Sequence, residues 1–214
     1  MILAMTSPGS ATKILVLYRD GHYLAAHKPI GIPTYQESRG QGALGLKELL
    51  EEQLSERFFP VHRIDLDTSG VVLFALNSKA ASELVRLFKE HRVQKTYVAW
   101  CVGTLPENGS ITRGLKKHKS DLVESARTDY VRIKISNGFS LARISPRTGR
   151  FHQIRRHFDS IGHALVGDSK YGKKALWANF FKTEPRLMLQ AEAIEFVHPV
   201  TKRAVKVQTK VALG

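Results

Sequence analysis

Four charged or titratable side chains crowd one short stretch, VHRIDLDTSG at 61–70, just before the apolar run VVLFAL. A carboxylate can act as a nucleophile or as a general acid or base. To attack, it must be ionised, and a neighbouring guanidinium favours the charged form. Arg63 shares a face with Asp65 if the segment is extended, and a second arginine can come from RTGRFHQIRRH at 147–157. For Asp67 and Thr68 the plainer reading is favoured, an Asp-Thr-Ser-Gly turn whose side chains cap backbone amides. For Asp65 the catalytic and the capping readings stand level on local chemistry. His62 reads as a hydrogen-bonded structural residue rather than a base.

Other chemistries lack their residues. There is no Walker A pattern, no GxGxxG after a strand and no GxSxG elbow, so nothing announces a nucleotide cradle or a serine hydrolase. The nine histidines are scattered and Cys101 is the single cysteine, which gives zinc no ligand set. His152 and His157 stand five apart, a spacing that does not stack two side chains on one helical face. The expectation is a mechanism without metal or cofactor. Cys101 lies in an apolar run and reads as a core thiol; one cysteine excludes an intrachain disulfide and suits a reducing compartment, the cytoplasm.

Thirty-three Lys and Arg face nineteen Asp and Glu, a net charge of +14 over 214 residues. An excess of this size suits a polyanion, by default a nucleic acid. The cations cluster at KKHK, 116–119, and at 147–157. No apolar run is long enough to span a membrane, and no basic amphipathic helix marks a terminus.

The elements that must position these residues are legible in outline. ILVLYRD and YLAAHKP read as two strands turning at Asp20-Gly21. TYQESRGQGALG at 34–45 has loop composition. GLKELLEEQL sets Leu46, Leu49, Leu50 and Leu54 on one helical face, and SKAASELVRLFKEH does so with Ala81, Leu84, Val85 and Phe88 after a Ser78 cap. VVLFAL and TYVAWCVG read as strands, the first buried on both faces. Residues 104–125 show no period and read as a basic excursion. RTDYVRIKIS and FSLARISP alternate around Asn137-Gly138, a hairpin signal. HQIRRHFDSIG reads as a helix, RLMLQAEAIEFVHP and RAVKVQTK as closing strands, the last at an edge. The fold class is α/β (α+β): one domain over 13–214, with a mixed, mostly antiparallel central sheet flanked by helices, after a loose tail over 1–12.

Four blocks in order resemble the RluA-type pseudouridine synthases, which isomerise uridine to pseudouridine in structured RNA. HRIDLDTSG is similar to that family's HRLDxxTSG. ILVLYRDGHYLAAHKPIGIPT resembles its opening segment, with His27-Lys28-Pro29 where Asn-Lys-Pro is usual. VQKTYVAWCVG is similar to its Lys-x-Tyr strand, and SPRTGRFHQIRRHFDSIGHALVGDSKYG to its GRxHQIRxH…GHPIxGDxxYG block. The resemblance runs from about Lys13 onward. It implies a pseudouridine synthase fold and a cofactor-free, metal-free reaction. Asp65 would be the essential aspartate that attacks or otherwise triggers release of the base. Tyr97 would stack on the uracil, and Arg155 would pair with Asp65 and keep it ionised. Arg63 would hold the flipped-out RNA, and Ile154 and Leu165 would line the pocket. Tyr97 taken alone would read as a core tyrosine; inside this strand it reads as the platform.

Physical reasons agree with those roles. Uracil is flat and neutral, so an aromatic platform and apolar walls suit it. A stacked base must be extruded at a cost of a few kcal/mol, which phosphate contacts along a basic rim offset. Arg143, Arg147, Arg150 and Arg156 with Lys116, Lys117 and Lys119 are the candidates for that rim. Lys95 and Gln94 read as solvated, Arg156 and His157 as helix surface, and Asp168 and Tyr171 as shaping the turn after the pocket. Leu66, Phe151 and Ala164 depart from the family pattern. Phe151 with Arg156 resembles the tRNA-acting branch, while the compact length resembles the dual rRNA/tRNA type. The expected partner is RNA (tRNA and/or rRNA), acted on by a monomer without membrane or obligate protein partner. Two alternatives come from other classes. One is a non-catalytic RNA-binding or RNA-folding protein on the same scaffold, for which retention of Asp65, Tyr97 and Arg155 together would have no use. The other is a hydrolase using Asp65 with a histidine base.

Overall fold

The computed structural model describes residues 13–36, 44–117, 120–178, 180 and 186–213. The tail over 1–12, part of the loop expected over 34–45 and Lys119 lie outside the described residues. The chain runs β1 (Val16–Arg19), β2 (Tyr23–Lys28), α1 (Leu46–Leu54), β3 (Phe59–Pro60), β4 (Ser69–Ala75), α2 (Ser78–Lys89) and β5 (Gln94–Val102). There follow β6 (Asn108–Ile111), β7 (Leu115–Lys116), β8 (Val123–Glu124), β9 (Thr128–Ser136), β10 (Phe139–Pro146) and α3 (Gln153–Ser160). A 3-10 turn over Lys174–Trp177 precedes β11 (Leu189–Val197) and β12 (Ala204–Gln208).

One ten-stranded sheet carries the molecule, in the order β1-β2-β4-β11-β5-β10-β9-β6, with β12 on β11 and β3 on β4. Among the described residues only β4 and β11 run parallel. The mixed, mostly antiparallel sheet flanked by helices is the expected architecture. Every residue of β4 is buried, because the strand is covered on both faces. Val72 and Phe74 pack with Leu46, Leu50 and Ile64 on the side of α1. Val71, Leu73 and Ala75 pack with Leu84 and Leu87 of α2 on the other. A further core lies under α3, where Ile154 and Phe158 meet Ala142, Ile144 and Leu165. Tyr97 packs against both this core and the one beneath α1.

Several local readings need correction. Asn77 caps α2, its side chain accepting from the Ala80 amide, while Ser78 is already helical. The helix buries Ala80, Leu84 and Leu87, with Ala81, Val85 and Phe88 flanking that stripe. The excursion over 104–125 contains β6, which extends the sheet by pairing with β9, and the small β7–β8 ladder. Strands of four and two residues are too short to display a period.

Candidate active site

The turn that carries Asp65 is fastened from below. Lys28 at the end of β2 is fully buried, and its ammonium donates to the carbonyls of Pro29, Ile32 and Leu66 at 2.9, 2.6 and 2.9 Å. Burial pulls its pKa down to about 8, against the opposing charges of Asp67 and Asp65. The Thr68 amide closes the turn onto the Asp65 carbonyl at 3.1 Å. Gly70 then lets β4 approach β11: its φ is +117°, and a Cβ there would stand 2.1 Å from the Ala191 carbonyl oxygen. Lys-Pro, Asp-x-x-Thr and Gly thus each serve the placement of one carboxylate. His62 is structural, as expected. Its Nε2 accepts from the Leu73 amide at 2.9 Å, its ring stacks on Phe88, and burial, with Lys95 nearby, draws its pKa down to about 3.

The opposite wall comes from HQIRRH, each residue with its own task. His152 adopts φ +50° at the start of α3, an unusual conformation for a residue with a Cβ. Its Nε2 lies 3.8 Å from an Asp65 carboxylate oxygen, and its Nδ1 lies 3.0 Å from the Tyr171 hydroxyl. Burial chiefly holds the imidazole below its usual pKa, against the pull of Asp65. Gln153 ties the 147–150 loop to β9, accepting from Thr148 and the Arg150 amide and donating to Arg127 and Thr128. Ile154 gives apolar wall. Arg155 is buried and places one guanidinium nitrogen 3.6 Å from Asp65. Its two close bonds, 2.8 Å each, go instead to Asp168. Burial opposes its charge, but the bonds and charge of Asp168 and the charge of Asp65 outweigh that and raise its pKa. Arg156 bonds the Lys116 carbonyl on the surface, whereas His157, expected there, is fully buried between Thr128 and the Arg113 carbonyl.

Together these walls enclose a cleft of about 610 Å³ lined by Arg63, Asp65, Tyr97, Arg150, Ile154 and Arg155 among others, a size suited to a small organic group. The sheet contributes Tyr97 from β5. Burial and the charge of Asp65 raise its phenol's pKa well above the ordinary value, so it stands protonated and presents an aromatic face. Arg63 lies over the Tyr35 ring at 5.6 Å.

The structure also redistributes the expected site. Leu165 does not line the cleft: it is fully buried in the core under α3, and its backbone bridges to Cys101. Arg143 faces away, since Ile144 beside it points into the core under α3, and it pairs with Glu192 at 3.1 Å. Arg147 pairs with Asp129, Arg150 with Glu124 and Lys116 with Asp121. Lys116, Lys117, Arg147 and Arg156 lie outside the cleft lining. Asp168 and Tyr171, read as turn formers, do shape the turn, Asp168 accepting the Lys170 and Tyr171 amides. Asp168 also anchors Arg155, and the Tyr171 ring lies 5.3 Å from that guanidinium. His152, Lys89, His91, Lys95 and Leu189 also line the cleft. Lys95, expected to be solvated, is half-buried in the lining instead; its place in Lys-Thr-Tyr, two residues before Tyr97 and so on the same face of the strand, is the signal that could have found it.

The chain is similar to known proteins over most of its length. A family model described as RNA pseudouridylate synthase matches residues 22–160. A protein of Haemophilus ducreyi called "tRNA pseudouridine synthase C" is 35% identical over 90% of this chain and 88% of its own length. One of the same name from Vibrio parahaemolyticus is 31% identical over 92% and 89%. Among solved structures, Human RNA Pseudouridylate Synthase Domain Containing 1 superposes with a TM-score of 0.79 at 25% identity, covering 96% of this chain and 86% of that one. Human RNA Pseudouridylate Synthase Domain Containing 4 shares the fold, with a TM-score of 0.74 at 21% identity, over 92% and 88%.

Proposed function

As the chain belongs to the RNA pseudouridylate synthase family, we propose that its cleft isomerises uridine to pseudouridine in transfer RNA, with Asp65 as the carboxylate that starts the reaction. The observation that carries the reading is the meeting of Asp65 with the Arg155 guanidinium at 3.6 Å in a cleft that also presents the Tyr97 ring. A guanidinium clamped on Asp168 faces Asp65 without consuming its lone pairs in a close ion pair. The anion attacks the sugar or the base, or otherwise releases the base; the C1′–N1 bond breaks and a C1′–C5 bond forms. One proton leaves C5 and one is gained at N1, so the product is an isomer and nothing is oxidised or reduced. Tyr97 serves as the platform on which the uracil turns, Ile154 and Leu189 keep the released ring in an apolar slot, and Arg63 and Arg150 hold the displaced strand at the cleft mouth.

Transfer RNA is favoured over ribosomal RNA by the two bacterial relatives, both called tRNA pseudouridine synthase C. The same reading takes residues 13–214 as the catalytic domain of a cytoplasmic monomer. Its support is a single, buried cysteine and the lack, among the described residues, of any helix long and apolar enough to cross a membrane. Incubating the purified protein with unmodified transfer RNA and ribosomal RNA transcripts and mapping pseudouridine by mass spectrometry tests the assignment. New pseudouridine in transfer RNA is the expected result; modification confined to ribosomal RNA, or none in either, contradicts it.

A further inference from the structure

The cleft does not end at Tyr97. A smaller hollow of about 80 Å³ continues from it toward Arg147, and the two share Phe88, His91, Lys95 and Pro146. Lys95 stands where they join. It precedes Tyr97 by two residues on β5, so both side chains emerge on one face of the strand. Its ammonium reaches across to the loop between β10 and α3, 3.6 Å from where a Cβ on Gly149 would sit. Gly149 leaves that approach without a side chain.

Three arginines around Lys95 are occupied. Arg147 is held by Asp129, Arg150 by Glu124 and Arg155 by Asp168. Lys95 forms no hydrogen bond or ion pair with any described residue, although it is only half-exposed. A partly desolvated ammonium without a counter-charge is costly to the folded protein on its own, and burial does lower its pKa. Such a group is poised for an anion supplied from outside.

We propose that Lys95 is a substrate-binding residue that takes a backbone phosphate of the RNA strand beside the extruded uridine. The proposal rests on the reading that the cleft accepts RNA. A flipped nucleotide entering at Tyr97 must bring its own phosphodiesters to the rim of the slot, and an ammonium two residues along the strand meets them. The paired arginines must exchange a carboxylate for a phosphate, whereas Lys95 has no partner among the described residues to give up. It therefore contributes position as well as charge, fixing the register of the strand over Asp65.

The test uses the full chain and a synthetic stem-loop covering the uridine that the wild-type protein modifies, with single linkages replaced in turn by neutral methylphosphonate. One linkage next to the target should weaken wild-type binding several-fold, and the same replacement should have no further effect on Lys95→Gln. The salt dependence of log K for Lys95→Gln should be shallower by about 0.7, the share of one single-strand phosphate contact. Lys95→Arg, which keeps the charge, should retain the wild-type slope. Lys95→Gln with an unchanged slope and unchanged sensitivity at every linkage overturns the proposal, as does Lys95→Arg behaving like Lys95→Gln. Pseudouridine formation by the wild-type protein separates the two readings. If it turns over and the variants match it, only Lys95 loses its role; if it forms none in any RNA, the reading of the cleft falls, and this proposal with it.

Discussion

Arg155 grips two carboxylates unequally, and the inequality is what makes Asp65 usable. Asp168, fully buried, accepts two 2.8 Å bonds; Asp65, with 29% of its side chain exposed, stands at 3.6 Å and keeps its oxygens toward the cleft. Truncating Asp168 leaves a buried cation with one distant partner, a change that costs about 3–5 kcal/mol where such pairs are broken. Asp168→Ala should therefore lower the urea midpoint strongly and reduce kcat, because the guanidinium loses its fixed position. A variant with wild-type stability and turnover would show that Arg155 is held by something else. That Asp65, Tyr97 and Arg155 meet in one cleft was legible from their motifs. The anchor was not, because Asp168 reaches Arg155 only after the chain has turned through the loop beyond α3. Nor was His152, whose aim at Asp65 depends on a left-handed backbone angle that its sequence neighbours do not announce. Leu165 was misassigned for a related reason: its motif names an apolar residue near the site, but packing in the core under α3 decides whether it meets solvent.

At the level of elements, the turn that carries Asp65 depends on two strands lying unusually close. Gly70→Ala would bring a methyl within 2.1 Å of the Ala191 carbonyl oxygen at φ +117°, adding backbone strain to a backbone clash. A loss of at least about 2 kcal/mol is expected, with lower turnover per folded molecule because Asp65 hangs on the same turn. Chemical denaturation and activity corrected for the folded fraction would check both, and unchanged stability would mean that β4 and β11 part readily. Long patterned elements were legible: the hairpin of β9 and β10 turns at Asn137 and Gly138, both at positive φ as Asn-Gly predicts. The parallel pairing of β4 with β11 was not, since partners separated by over a hundred residues leave no local trace. The same holds for β6, whose four residues become a strand only because β9 offers an edge.

For the whole molecule, charge sets both partner and pH response. The +14 excess draws RNA in without itself choosing the uridine. Burial holds His27, His62, His152 and His157 below the usual histidine pKa of 6.5. Below that pH the unfolded chain binds protons that the folded chain refuses, so stability rises with pH toward 6.5 and then levels off. Asp129, held down to about 2 chiefly by bonds from Arg147, Ser110 and Arg127 that overcome its burial, acts in the same sense at lower pH. The urea midpoint should be lower at pH 5 than at pH 7.5, and a higher one would mean that these histidines gain partners on protonation. The most direct test of the central claim is single-turnover pseudouridine formation by Asp65→Asn on the RNA that the wild-type protein modifies, with binding measured alongside. Near-wild-type affinity with no detectable product is expected; product formed at a rate close to wild type would contradict the role of Asp65.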